Sequence, residues 1–186
     1  MALGDSITAG SSLAPTETYP DVLQQRLQRD GYPHRVVNAG IDGDTTADAH
    51  RRLATALRPG TTIVIVALGL NDVKTRPPRT IAQIRGDLDA IIAESQRRKL
   101  TVLLCGFKMP LAIDATYERQ FAAMYPALAA KYHVPLIPDL MSIVWNSENM
   151  TSDGFHPNAT GARFIARQVY GALKPLLGSA ATTNRR

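Results

Sequence analysis

Cys105 is the single cysteine in 186 residues, so no disulfide can close within the chain and a site built from several thiolates is excluded. It lies in the apolar run LTVLLCG without an ionisable neighbour to activate it, and reads as a buried thiol. No run of about twenty apolar residues is present, which argues against stable membrane insertion. The opening residues lack the basic-then-apolar pattern of a signal segment. As it stands, the chain is predicted to be soluble, and cytoplasmic unless a signal precedes Met1, in which case it would be periplasmic or secreted. There is no internal repeat and no low-complexity linker. The length therefore suits one domain over residues 1–178, with the polar end SAATTNRR at 179–186 as a mobile tail. A formal charge of +5 permits attraction to nucleic acid, anionic membranes or acidic ligands and specifies none of them.

What is present is an alternation of strands and helices. Short apolar runs at 35–39 (RVVNA), 61–68 (TTIVIVAL), 100–105 (LTVLLC) and 133–137 (HVPLI) suit buried parallel strands, and Ala2 and Leu3 form a truncated first strand. Any residues preceding Met1 in the natural gene would lengthen that strand. Between these runs, PDVLQQRLQRDG, TTADAHRRLATAL and residues 79–98 carry helical recurrence, with Pro20 near one helix start and Gly31 at its end. Ile81, Ile84, Leu88, Ile91 and Ile92 form one apolar stripe. A helix over 115–131 is expected to bend or divide at Pro126, and Asn158 caps a last helix packing through Phe164, Ile165, Val169, Leu173 and Leu176. The predicted fold is α/β: a single-domain three-layer sandwich with a parallel sheet of about five strands and right-handed crossovers.

In such open sheets chemistry gathers beyond the carboxyl ends of the strands. Four polar blocks fall there or before the last helix: GDSIT, NAGIDGDT, GLND and DGFHPN. Taken singly, Ser6 reads as a cap or turn residue, Gly43 as a turn, Asn71 as a cap, and an isolated DxxH is weak. The GxSxG elbow of α/β-hydrolases is absent. Together and in this order, the blocks resemble those of the SGNH, or GDSL, hydrolase family, especially its small bacterial thioesterase, lysophospholipase and arylesterase members. The resemblance implies that Ser6 is a nucleophile and that Asp153 and His156 are its acid and base. It also implies that Ser6, Gly43 and Asn71 supply the oxyanion hole. The chemical reading agrees: His156 takes the Ser6 proton while Asp153 orients the imidazole, provided the loop turns at Gly154. His34, His50 and His133 read as surface, cap or packing residues. Neither metal nor organic cofactor is expected, and the partner is a small acyl ester or thioester. The sequence leaves the oligomeric state open.

Substrate contacts are less sharply marked. Leu70, Phe107, Met109, Pro110, Leu111 and Ile113 could border an acyl pocket, or close the domain by ordinary packing. Leu70 departs from family members with two glycines before the matching asparagine and aspartate. Lys74, Arg76, Arg79 and Lys108 form either a solvated rim or an attraction for anionic substrates. Two other classes compete. Asp42, Asp44, Asn71, Asp72, Asp153 and His156 could serve a metal-assisted phosphoesterase. Arg97, Arg98 and Lys99, with Arg185 and Arg186, could bind anions or nucleic acid, though no aromatic pattern accompanies them and none is expected as a partner.

Overall fold

The β-branched run Ile63–Ala67 is buried at every position, as an interior parallel strand requires. This computed structural model describes residues 1–108, 114–145, 148–151 and 153–178; Met109, Pro110, Leu111, Ile113 and the tail 179–186 lie outside them. The strands are β1 (Ala2–Gly4), β2 (Asn38–Gly40), β3 (Ile63–Ala67), β4 (Thr101–Cys105) and β5 (Leu136–Ile137). The helices are α1 (Ser6–Ala9), α2 (Tyr19–Arg29), α3 (Thr46–Ala56), α4 (Leu70–Lys74), α5 (Ile81–Arg97), α6 (Ala115–Tyr132) and α7 (Ala159–Leu173). All five strands are parallel, in the order β2-β1-β3-β4-β5. No helix among the described residues is long and apolar enough to cross a membrane.

Handedness assigns the layers. The β1–α2–β2 crossover moves one way along the sheet, whereas β2–α3–β3 and the next two crossovers move the other way. Right-handed connections therefore put α2 on one face and α3, α5 and α6 on the opposite face. The packing agrees: α3 lies against α5 and α5 against α6, while α7 returns to cover the first face beside α2. The direction of winding along the sheet switches between β1 and β3, so the crevice of the fold opens past the carboxyl ends of those strands. Though three residues long, β1 is an interior strand, paired with β2 on one side and β3 on the other.

Three expectations are corrected. The second strand begins at Asn38 instead of residue 35, because α2 claims the earlier backbone: Val36 N–H donates to Gln24 Oε1 at 2.7 Å and Gln24 Nε2 donates to the His34 carbonyl at 3.3 Å. α6 runs unbroken through Pro126, which lies on its exposed side, where water can satisfy the carbonyl that proline leaves free. On α7 the buried stripe is Ala162, Ile165, Ala166, Val169, Tyr170 and Leu173 at helical spacing. Phe164 falls off that stripe and is 37% exposed, and Leu176 is only partly buried. The stripe on α5 is as expected, with Ile84, Leu88, Ile91 and Ile92 fully buried. Cys105 is buried, and burial pushes its thiol pKa up, away from reactivity. His133 caps α6 in the left-handed conformation, at φ 51°.

Candidate active site

Ser6 enters the crevice because β1 ends two residues before it and α1 begins at it. The turn is tight: a Cβ on Gly4 would stand 2.0 Å from Thr8 Oγ1, so only glycine lets α1 fold back across the strand end. Asp5 caps the turn, its Oδ1 accepting from Ile7 N–H at 3.0 Å. As the first residue of α1, Ser6 has no helical acceptor for its own N–H.

The last predicted block reaches Ser6 from 150 residues away: His156 Nε2 stands 3.0 Å from Ser6 Oγ. His156 Nδ1 stands 2.6 Å from Asp153 Oδ2. The other oxygen, Asp153 Oδ1, accepts from Thr151 Oγ1 at 2.5 Å and from the N–H groups of Phe155 and His156, each at 2.9 Å. These donors, Thr151 first and then the imidazole, hold the carboxyl well below the usual carboxylate range. Gly154 makes the turn at φ 64°. A hydroxyl joined to an imidazole joined to a fixed carboxylate can lose its proton to the ring as its oxygen attacks a carbonyl carbon.

Gly43 and Asn71 follow β2 and β3. The 41–45 loop is tied at both ends: Ile41 N–H donates to the Gly4 carbonyl at 3.1 Å, and the Asp44 carbonyl accepts from Asn71 Nδ2 at 3.1 Å. Beneath them Asp72, fully buried, accepts from Thr46 N–H at 2.9 Å, Thr46 Oγ1 at 2.7 Å and Arg79 Nη1 at 2.6 Å. Arg79 also pairs with Asp87, as does His50. Of the acidic residues offered for a metal site, Asp44 pairs with Arg52, Asp72 with Arg79 and Asp153 with His156. Arg97 and Arg98 both engage Glu94.

The acyl-pocket expectation changes most. Leu70 is 2% exposed and Phe107 is fully buried, its ring edge-on to Tyr125 at 6.4 Å between centroids, so neither lines an open surface. Both follow strand ends and turn inward, into the layer under the crevice. At the rim, beside Lys74, stand two aromatics that sequence reasoning passed over, Trp145 and Phe155. Phe155 packs edge-on against His156 at 5.3 Å and against Trp145 at 5.9 Å, and Lys74 Nζ lies over the Phe155 ring at 3.1 Å from its centroid. Lys74 is the rim cation brought near the site, and partial burial lowers its pKa against the pull of Asp5 and Asp153. Arg79 is consumed by its two carboxylates. Thr151 was also missed, although a threonine two residues before a loop aspartate is a readable turn signal.

Asp5 carries a testable consequence. Burial raises its carboxyl pKa from 3.8 to about 7, against the opposing pull of Ile7 N–H and Lys74. The folded protein keeps this proton where the unfolded chain has released it, so Asp5 costs stability increasingly as pH rises from about 4 to 7. Asp5→Asn keeps the cap acceptor and removes the titration. Its stability relative to the parent is expected to improve by about 2–3 kcal/mol between pH 5 and pH 8, read as several degrees in Tm. A Tm difference that stays constant with pH would show that Asp5 is already ionised in the fold.

Comparison with known proteins adds the lineage. Residues 2–164 match the model of the GDSL-like lipase/acylhydrolase family. The chain is 33% identical over 182 residues to "Esterase TesA" of Pseudomonas aeruginosa, covering 95% of this chain and 88% of that protein. It is 33% identical over 184 residues to "Thioesterase 1/protease 1/lysophospholipase L1" of Escherichia coli, covering 95% and 84% respectively. The solved structure described as "Crystal Structure of TesA" superposes with a TM-score of 0.88 at 32% identity, covering 95% of this chain and 98% of that one. With a family match over residues 2–164 and two relatives 33% identical over 95% of the chain, the chain belongs to the GDSL-like lipase/acylhydrolase family.

Proposed function

We propose that Ser6 attacks the carbonyl carbon of a carboxylic ester or acyl thioester, with His156 as base and Asp153 as the group that orients and stabilises the imidazolium. The bonded line from Ser6 Oγ through His156 to Asp153 Oδ2 is the observation that carries this reading. As the tetrahedral centre forms, its oxyanion is taken by Ser6 N–H, Gly43 N–H and Asn71 Nδ2–H. His156 then gives its proton to the departing alcohol or thiol, leaving an acyl-serine. Water, deprotonated by the same imidazole, attacks the acyl carbon and releases the carboxylic acid, and the proton returns to Ser6. The names of the relatives, an esterase and a thioesterase/lysophospholipase, support acyl substrates of this class.

The test is a matched panel of short and long p-nitrophenyl esters, acyl thioesters and a micellar lysophospholipid, run with the parent and with Ser6→Ala. Hydrolysis of esters and thioesters that disappears in the variant is expected. Turnover surviving intact in Ser6→Ala would sink the reading. A saturated thioester preferred over its oxygen ester, with an optimum in chain length, would assign the thioesterase branch, and productive lysophospholipid cleavage would assign the lysophospholipase branch.

A further inference from the structure

We infer that Arg52 is a positioning residue for the oxyanion donors, an assignment that rests on the roles proposed for Ser6, Gly43 and Asn71. Arg52 lies on α3, outside every motif, and its guanidinium reaches three segments of the site. Nε meets Asp44 Oδ2 at 2.6 Å, and Nη2 donates to the Gly4 carbonyl at 3.1 Å and the Ala39 carbonyl at 2.8 Å. Each contact leads to a donor. Gly4 stands two residues before Ser6, Ala39 leads into the loop that carries Gly43, and Asp44 both follows Gly43 and presents the carbonyl that orients Asn71 Nδ2. One rigid, planar cation thus sets the spacing of the peptide and amide hydrogens that converge on an oxyanion.

Packing cannot do this work in its place. Ile41 is 48% exposed, and apart from Gly43 and its chain neighbours no atom lies within 4 Å of where a Gly43 Cβ would stand, so the loop has few apolar contacts around Gly43. Its geometry depends on directional polar bonds. The Arg52–Asp44 pair is largely shielded from water, with side chains 18% and 10% exposed, which keeps those bonds from being exchanged for solvent. Lysine cannot replace the fork, because a single ammonium on a flexible stem does not meet a carboxylate and two divergent carbonyls in fixed directions.

The experiment compares Arg52→Met, Arg52→Lys and Asp44→Asn, each alone and combined with Asn71→Ala, by kcat and KM on a p-nitrophenyl butyrate substrate and by Tm. Arg52→Met is expected to lower kcat by about 10²-fold with KM changed less than about threefold, since a misplaced donor weakens the transition state more than the ground state. Arg52→Lys should recover only part of the loss. Added to Asn71→Ala, which alone costs about 10²-fold, Arg52→Met should give about 10³-fold in total, short of the roughly 10⁴-fold of independent losses. Should Arg52→Met not fold, Asp44→Asn keeps the main-chain acceptor and nearly the same volume, and the same kcat-only, sub-multiplicative loss is expected of it. Fully multiplicative losses, or activity that merely tracks the folded fraction, would overturn the inference alone. An Asn71→Ala variant with undiminished kcat would overturn the oxyanion assignment and this inference with it.

Discussion

Ser6→Ala is expected to lower kcat for a short-chain ester by about 10⁶-fold and to abolish any burst of acylation, with Tm nearly unchanged. The magnitude follows from covalency. Without Oγ there is no acyl acceptor, and only substrate binding and the oxyanion donors remain to assist attack by water. The fold should tolerate the change because the hydroxyl bonds to His156 Nε2, on a side chain 22% exposed that can turn to water instead. Burst amplitude in stopped flow and a thermal melt together check the expectation; a variant that is inactive because it is unfolded would show in the melt.

Asp153→Asn should cost about 10⁴-fold in kcat, with KM little altered. The carboxylate accepts from Nδ1, so the neutral ring keeps its Nε2 lone pair for the Ser6 proton. An asparagine can present its amide N–H to Nδ1, which favours the opposite tautomer and leaves Nε2 already protonated. Shape and most loop bonds survive, so Tm should hold. Combining Asp153→Asn with Ser6→Ala should add almost nothing, because the imidazole has no hydroxyl left to activate. The donors around Asp153 depress its pKa, so its ionised form persists in the fold below the pH at which an ordinary aspartate is protonated. The stability it contributes is present above the unfolded-state pKa and is lost only as pH falls through the lower folded value. An Asp153→Asn enzyme within tenfold of the parent would mean that the ring is oriented by something else.

Much of this architecture was legible in local sequence. The IVIVA and TVLLC runs specified interior strands because parallel strands are buried on both faces. Asn158 announced the start of α7, its side-chain oxygen accepting from the N–H groups of Thr160 and Gly161, at 2.9 and 3.0 Å. The order of GDSIT, NAGIDGDT, GLND and DGFHPN located the candidate site. What escaped was set by contacts remote in sequence. RVV reads as strand until Gln24, on the preceding helix, takes its backbone bonds. Phe164 reads as core until the stripe through Ile165 and Val169 settles which side of α7 meets the sheet. Phe107 and Leu70 read as pocket because apolar residues near a catalytic loop look alike whether they face in or out. Arg52 gave no signal, since its role arises only when β1, β2 and the Gly43 loop end side by side.

The most direct measurement of the central claim is active-site labelling. The protein is titrated with an alkyl fluorophosphonate, residual ester hydrolysis is followed against phosphonyl groups bound per chain, and the modified peptide is mapped by mass spectrometry. The account predicts that activity falls to zero as one phosphonyl group is incorporated per chain, that the group is on Ser6, and that Ser6→Ala takes up none. Full hydrolytic activity in protein whose Ser6 is quantitatively phosphonylated would contradict it, as would inactivation accompanied by label at a different residue.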